Sequence, residues 1–192
     1  MSARTPGQDS LPPETPELAF ASLQVSERQR QIYIEAARLF VAKGFHGASM
    51  SDLAEAVGLT KAGLYHFVSS KEELLFTIMS YSMDRLYLDV VDPAGEIEDP
   101  LARLKAIIRR HTHNVARVTL ENGNPLSILV DEPTGLTPEH RKFIDGRKRG
   151  YFDLLRGTLD ALKADGRLDK GTDTTVVAHS IVGMIMWIAR WR

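Results

Sequence analysis

The stretch from Ala48 to Leu75 reads ASMSDLAEAVGLTKAGLYHFVSSKEELL and contains three helix starts. At each start a side-chain oxygen can accept a hydrogen bond from a backbone N–H two or three positions later, as helix N-caps do: Ser49, Thr60 and Ser70. Ser70 is also followed by a glutamate three positions later, which completes a capping box. Gly58 ends the first helix, since glycine readily takes the left-handed conformation found there. The pattern predicts two short helices joined by a glycine-containing turn, followed by a long helix. The second short helix, capped by Thr60, is predicted to run to about Phe67.

The second short helix has the composition of a helix that lies against DNA. The major groove is about 12 Å wide and admits one helix, so residues at its entrance have to be small or polar. Residues 60–63 are Thr-Lys-Ala-Gly, and alanine and glycine permit close approach of the backbone. Lys61, Tyr65 and His66 can reach phosphates or base edges, whereas Leu64 is expected to face inward. The pattern favours a helix-turn-helix, and a look-alike pair of surface helices is the alternative.

A longer helix precedes this pair. Helical periodicity begins at Glu27 and ends at Gly44, with apolar residues four positions apart at Ile32, Ala36 and Phe40. Residues 1–26 are rich in Pro, Ser, Thr and Glu and contain few large apolar groups, which predicts a flexible arm. Residues 27–72 are therefore predicted to form a three-helix DNA-binding domain.

Composition limits the class of protein. The net charge of the 192 residues is −1, but six basic residues against three acidic ones between positions 28 and 71 give that region a balance of +3. There is no cysteine, so disulfides and thiolate chemistry are excluded, which suits a cytoplasmic protein. No apolar run approaches the roughly 20 residues of a membrane span, and the first residues lack the apolar core of a secretory signal. No membrane partner is expected.

The segment from Ile32 to Leu75 resembles the N-terminal domain of the TetR family of bacterial transcriptional regulators. The similarity runs without a gap and includes these residues: Ala36, Phe40, Gly44, Ser49, Leu53, Ala54, Gly58, Lys61, Leu64, Tyr65 and Ser70 to Leu74. The resemblance implies an all-α homodimer that binds double-stranded operator DNA through this domain. A larger helical domain for ligand binding and dimerisation would follow at residues 73–192.

Nine residues correspond to positions that the family uses at DNA: Ser49, Ser51, Thr60, Lys61, Ala62, Gly63, Tyr65, His66 and Lys71. By this resemblance Ser49 would cap the second helix at a phosphate, and residues 60–63 would open the recognition helix. Tyr65, His66 and Lys71 would hold the DNA backbone, with base contacts by Tyr65 or His66 left open.

The sequence departs from the family pattern at three positions. Phe67 stands where histidine is common, Val68 where phenylalanine is usual, and Ser51 where arginine is frequent. Fewer cationic contacts predict a shallower salt dependence, since each neutralised phosphate adds about 0.9 to the log–log slope.

The C-terminal half is also predicted to be helical throughout. Residues 92–100, DPAGEIEDP, predict a turn and linker, after which Asp99 and Pro100 start a helix. Thr137 and Pro138 open a long helix that Gly166 closes, and the last helix runs from about residue 173 to residue 192. No segment has a strand pattern, so the fold class is all-α.

The last helix contains the sequence TTVVAHSIVGMIMWIARWR and is apolar nearly all round, which predicts that it is buried in a core or an interface. The resemblance implies that the last two helices pair with their copies in a homodimer. Two recognition helices about 34 Å apart would then fit a palindromic operator. A core helix of a monomer is the alternative.

Seven residues are candidates for effector binding: His111, Asn114, Arg117, Arg149, Met184, Trp187 and Trp191. The Trp-x-x-x-Trp pair beside methionines resembles a branch of the family that senses acyl-CoA thioesters, although paired aromatics are also common packing. Arg149 belongs to a basic cluster that suits CoA phosphates or a solvated face. His111 and His113 point about 200° apart on a helix, so a shared metal ion is not expected.

These features predict a ligand-responsive transcriptional regulator without a cofactor. The expected mode is repression, relieved by a small lipophilic effector for which acyl-CoA is one candidate. Two other classes stay open at this point. One is a helical adaptor that binds a partner protein through the apolar last helix. The other is an enzyme whose site is assembled from distant residues, since no catalytic motif is present.

Overall fold

The computed structural model describes residues 25–120 and 133–188, and each regular element in these ranges is a helix. The α-helices are α1 Glu27–Gly47, α2 Met50–Ala56, α3 Lys61–Leu64, α4 Lys71–Leu86, α5 Asp92–Gly95, α6 Pro100–Leu120, α7 Pro138–Ala164 and α8 Thr174–Ile188. A π-helical segment, Tyr87–Val91, joins α4 to α5, and a 3-10 turn, Pro133–Gly135, precedes α7. The all-α prediction is confirmed. The N-terminal arm and the last residues of the predicted final helix lie outside the described ranges.

The helix starts lie where the N-cap residues predict them. The hydroxyl oxygen of Ser49 accepts from Asp52 N at 3.0 Å, that of Thr60 from Gly63 N at 3.0 Å, and that of Ser70 from Glu73 N at 3.0 Å. Gly58 has φ +65°, the left-handed conformation expected at the end of α2. Local hydrogen bonding therefore accounts for the starts of α2, α3 and α4.

Burial orients α2 and α3 against α1. Leu53 and Leu64 are buried together with Phe40, and the Leu64 side chain is 0% exposed, as expected for the inward face of α3. Arg28 on α1 donates from Nη2 to the Val57 carbonyl at the end of α2 at 2.5 Å. Side-chain packing and one cross-helix hydrogen bond thus hold the recognition helix in place.

Three boundaries differ from the prediction. Gly44 has the left-handed φ of 71° where the first helix is predicted to end, but α1 continues past this kink to Gly47. The recognition helix was expected to reach Phe67, but regular α-helix ends at Leu64, and the next residues form tighter turns, with Phe67 N donating to the Leu64 carbonyl at 2.9 Å. The predicted linker at residues 92–100 is wrong for its first half, because residues 92–95 are helical. Val90 and Ala94 lie four positions apart and are both fully buried, so packing overrides the turn preference of the Asp-Pro pair.

The C-terminal part packs α6, α7 and α8 together, and the core that begins in the DNA-binding domain continues there through Ile107, Ile144, Leu155 and Leu159. The last helix contributes only one face to it: Ala178 and Ile185 are buried. Burial all round, expected for this helix, is not found within one chain. None of the helices in the described ranges is long and apolar enough to cross a membrane.

Candidate DNA interface and effector site

The recognition helix α3 presents a polar outer face. Lys61, Ala62 and His66 are exposed, and the Tyr65 side chain is 47% exposed although it is large and aromatic. Gly63 is half-buried, and a Cβ there would lie 3.2 Å from Thr60 Oγ1, the oxygen that caps the helix. The face therefore combines a cation, a phenol and an imidazole around a small residue. These groups can donate to phosphates and base edges.

The start of α2 lies beside an ion pair. Asp52 accepts from Lys43 Nζ at 2.7 Å and from the Ser49 backbone N–H at 2.8 Å. The hydrogen bond from Lys43 and those from Ser49 lower the pKa of the Asp52 carboxyl, so this carboxylate stays ionised. Ser49 and Ser51 are both exposed at this helix end. Sequence reasoning missed Lys43 here, because its partner lies nine residues away, across the junction between α1 and α2.

The Lys71 ammonium contacts the backbone of the junction between α1 and α2. Its Nζ donates to the carbonyl oxygens of Phe45 at 2.8 Å and Ala48 at 2.9 Å. The ammonium also lies 4.2 Å from the centre of the Phe45 ring. These contacts connect the start of α4 to the junction between α1 and α2. These contacts give Lys71 a part in the framework of the domain, and its contact with a DNA phosphate stays a prediction.

Replacing Lys71 by methionine tests this assignment. We expect Lys71→Met to lower the free energy of unfolding by about 1–3 kcal/mol, because two carbonyls lose a charged donor. The salt slope of operator binding should stay unchanged. Urea unfolding and fluorescence anisotropy over a range of salt concentrations measure the two effects, with Lys142→Met on exposed α7 surface as the matched control. Unchanged stability with a salt slope reduced by about one would indicate that Lys71 contacts a DNA phosphate and does not stabilise the domain.

His111 is buried inside the C-terminal part. The imidazole is 3% exposed, and its Nδ1 lies 2.7 Å from the Tyr151 hydroxyl on α7. Burial lowers the pKa of His111 to about 4 and raises that of Tyr151, so both groups are neutral near pH 7. The pair supplies polar but uncharged atoms in apolar surroundings, which suits hydrogen bonding to a neutral group of a ligand.

Asn114 lies one helical turn further along α6. Its Nδ2 donates to Asp89 Oδ2 at 3.0 Å, and Arg85 Nη2 lies 2.9 Å from both oxygens of the same carboxylate. Arg110 adds a longer hydrogen bond of 3.3 Å to the Asp89 backbone carbonyl. The network ties α4 and the π-helical segment to α6. Sequence reasoning found Asn114 but missed Asp89, although the Arg85–Asp89 spacing of four was a signal for a helical ion pair.

The other predicted effector residues do not join this buried cluster. Arg149 is exposed on α7. Met184 and Trp187 are 64% and 62% exposed on α8 in a single chain, and their contact with an effector stays a prediction. The Arg117 side chain and Trp191 lie outside the described residues. Within the described ranges no group of three or more His, Cys, Asp or Glu residues is placed to hold a metal ion.

Comparison with protein families gives two matches along the chain. Residues 32–78 match the family described as "Bacterial regulatory proteins, tetR family". Residues 98–191 match "Tetracyclin repressor-like, C-terminal domain". The first match covers the helix-turn-helix and the start of α4, and the second includes His111, Asn114 and Tyr151.

Three similar proteins bear on function. The crystal structure of AibR with isovaleryl coenzyme A and operator DNA has a TM-score of 0.76 and 39% identity, covering 86% of this chain and 87% of AibR. The transcriptional repressor KstR2 of Mycobacterium tuberculosis is 29% identical over 174 residues, 88% of this chain and 82% of KstR2. The transcriptional activator FasR of Mycolicibacterium smegmatis is 34% identical over 82 residues, 43% of this chain and 37% of FasR.

Proposed function

The chain belongs to the TetR family of bacterial transcriptional regulators, and we propose that it is a dimeric repressor released from its operator by an acyl-CoA thioester. Its family and relatives are DNA-binding regulators rather than enzymes. The observation that carries the effector class is the similarity to AibR over most of both chains, because that structure contains both operator DNA and isovaleryl coenzyme A. We propose repression rather than activation because KstR2, which is similar over most of its length, is a transcriptional repressor. The cytoplasm is the proposed site of action.

The proposed operator contacts lie on α3 and at the start of α2. Residues 60–63 enter the major groove, Tyr65 and His66 contact the DNA backbone or base edges, and Ser49 and Ser51 lie at a phosphate. Their exposure supports this assignment, since the apolar neighbour Leu64 is buried. We place the DNA-binding domain at residues 27–72 and the effector domain at 73–192, with α4 beginning at the boundary.

The proposed effector contacts are divided between the interior and the surface. His111 and Asn114 supply buried polar atoms for the acyl or thioester part, because a neutral imidazole can hydrogen-bond a carbonyl without a buried charge. Arg149 is exposed on the same helix as Tyr151 and suits the anionic phosphates of CoA, since guanidinium groups bind phosphate in bidentate fashion. Arg117 remains a proposal from the sequence.

The test of this function begins by finding a DNA site for the protein. Wild-type protein selects a duplex from a random DNA library, and fluorescence anisotropy measures its affinity with isovaleryl-CoA, free CoA and isovalerate. We expect isovaleryl-CoA to raise the dissociation constant and the two fragments to have much weaker effects, because an effector shifts the equilibrium only through its differential affinity. The same titration with a long-chain acyl-CoA completes the test: selective DNA binding that neither thioester changes would support the regulator and reject the effector class.

The homodimer is proposed to form through α7 and α8. The outer face of α8 exposes Val176, Met184 and Trp187 in one chain, and a face this apolar is typical of an interface. Gly183 lies on the same helix with nothing within 4 Å of a Cβ, so a second chain has room to approach.

A negative charge introduced on the outer face of α8 should weaken the homodimer. We expect Met184→Glu to raise the dimer dissociation constant by about a hundredfold or more, because the interface would bury an unpaired carboxylate. Operator affinity should fall with it, since two linked recognition helices bind more tightly than one. Analytical ultracentrifugation and anisotropy check both results, with Leu88→Glu, at another exposed apolar residue, as the control. A dimer that persists in Met184→Glu would reject this face.

A further inference from the structure

The segment that leads into α7 packs against the DNA-binding domain through a glycine. Gly135 is buried, and a Cβ at this position would lie 2.5 Å from both Cδ1 and Cε1 of Phe45. Phe45 itself is 3% exposed and lies where α1 passes into α2. Real Cβ atoms essentially never approach ring atoms so closely, so only glycine fits here without a shift of the ring or the segment.

Phe45 is also connected to the recognition unit. Lys71 Nζ lies 4.2 Å from the ring centre and binds the carbonyl oxygens of Phe45 and Ala48. Ala48 directly precedes Ser49, the N-cap of α2. A movement of the Phe45 ring would therefore disturb the anchor of the α1–α2 junction, and with it the start of the helix-turn-helix.

Two further contacts hold the same segment to the DNA-binding domain and α4. Thr134 Oγ1 lies 3.4 Å from Nε2 of His46, next to Phe45. In the first turn of α7, the His140 ring stacks on Phe76 of α4, with 3.7 Å between ring centroids and 5° between planes. The segment from Thr134 to His140 thus contacts both the end of α1 and α4, and it continues into α7, the helix that carries Tyr151.

We infer that Gly135 is a positioning residue through which the effector domain sets the α1–α2 junction and thereby operator affinity. The inference rests on the proposed function for its effector part. Packed interiors do not deform continuously, so a displacement of the segment against Phe45 is transmitted to its neighbours rather than absorbed. The Gly135–Phe45 contact couples the effector domain to the α1–α2 junction. Helix α7 connects this contact to the buried His111–Tyr151 pair.

The test compares Gly135→Ala with Gly146→Ala, an exposed position of α7 where an added Cβ meets nothing within 4 Å. We expect Gly135→Ala to weaken binding of the selected duplex about tenfold or more without effector. Its affinity for isovaleryl-CoA should stay equal or rise, because coupling between two sites is reciprocal. Gly146→Ala should match the wild type in both measurements. Loss of affinity for both ligands in Gly135→Ala would indicate general damage and overturn the inference.

A second variant distinguishes a specific contact from general strain. Phe45→Leu removes part of the ring, so the double variant Gly135→Ala/Phe45→Leu should bind the duplex more tightly than Gly135→Ala alone. Hydrogen exchange of the backbone amides at residues 45–50 should be faster in Gly135→Ala than in the wild type and Gly146→Ala. Both readouts are independent of any effector, so they stand even if isovaleryl-CoA fails to release the wild type. Additive losses with unchanged exchange would overturn the inference.

Discussion

Acidification from pH 7 to pH 4 should lower the free energy of unfolding by about 3 kcal/mol through His111 alone. Burial lowers the pKa of this imidazole from 6.5 to about 4 in the folded chain. Between these two values the unfolded chain binds the proton and the folded chain does not, so falling pH favours unfolding. The contribution is fully present above pH 6.5 and is lost as the pH falls towards 4.

The measurement is urea unfolding at several pH values, comparing wild type with His111→Gln. Glutamine does not titrate in this range, so the variant should lose much less stability on acidification. Glutamine can still accept from the Tyr151 hydroxyl, but it does not reproduce the packing of the imidazole, so the variant should be less stable than wild type at pH 7. His113→Gln is the matched control, since His113 is exposed on the same helix two residues away. Equal pH dependence in wild type and His111→Gln would show that His111 is not buried in its neutral form.

Reversing the charge of Lys61 should weaken operator binding by about a hundredfold or more. Lys61 is the first residue of α3 and is exposed at the helix end that we propose enters the major groove. Removing one side-chain contact to DNA costs about 1–3 kcal/mol, and a glutamate adds repulsion from nearby phosphates. The salt slope should also fall by about 0.9 for each phosphate that the protein no longer neutralises.

Lys170→Glu changes the net charge by the same amount at an exposed position between α7 and α8, far along the chain from α3. Anisotropy titrations at several salt concentrations compare the two variants with wild type. We expect Lys170→Glu to have only the small effect of altered net charge. If the two variants weaken binding equally, Lys61 has no special position at the DNA, and the proposed orientation of α3 is wrong.

The helix starts of the DNA-binding domain could be predicted because their causes are local. Ser49, Thr60 and Ser70 cap helices through hydrogen bonds to residues three positions away, and Gly58 takes its backbone conformation without help from distant parts of the chain. Leu64 faces inward because its neighbours on α3 are polar or small. Such features depend on residues within one or two helical turns, which a sequence displays directly.

Three assignments depend on tertiary contacts and could not be predicted in the same way. The sequence does not show that the Lys71 ammonium binds carbonyls more than twenty residues earlier in the chain. Residues 92–95 have the composition of a turn, but the burial of Ala94 makes them helical. The sequence predicts a nearly all-round apolar, buried last helix, but in a single chain Met184 and Trp187 of α8 are exposed.

The sequence by itself determined the helical class, the caps and the recognition helix of this protein. Only the tertiary structure decided which polar groups are buried together, such as His111 with Tyr151, and why residue 135 has no side chain. The physical reason is the distance along the chain over which each interaction acts. Capping and periodicity act within a helix, whereas burial, pKa shifts and close packing depend on which distant segments the folded chain brings into contact.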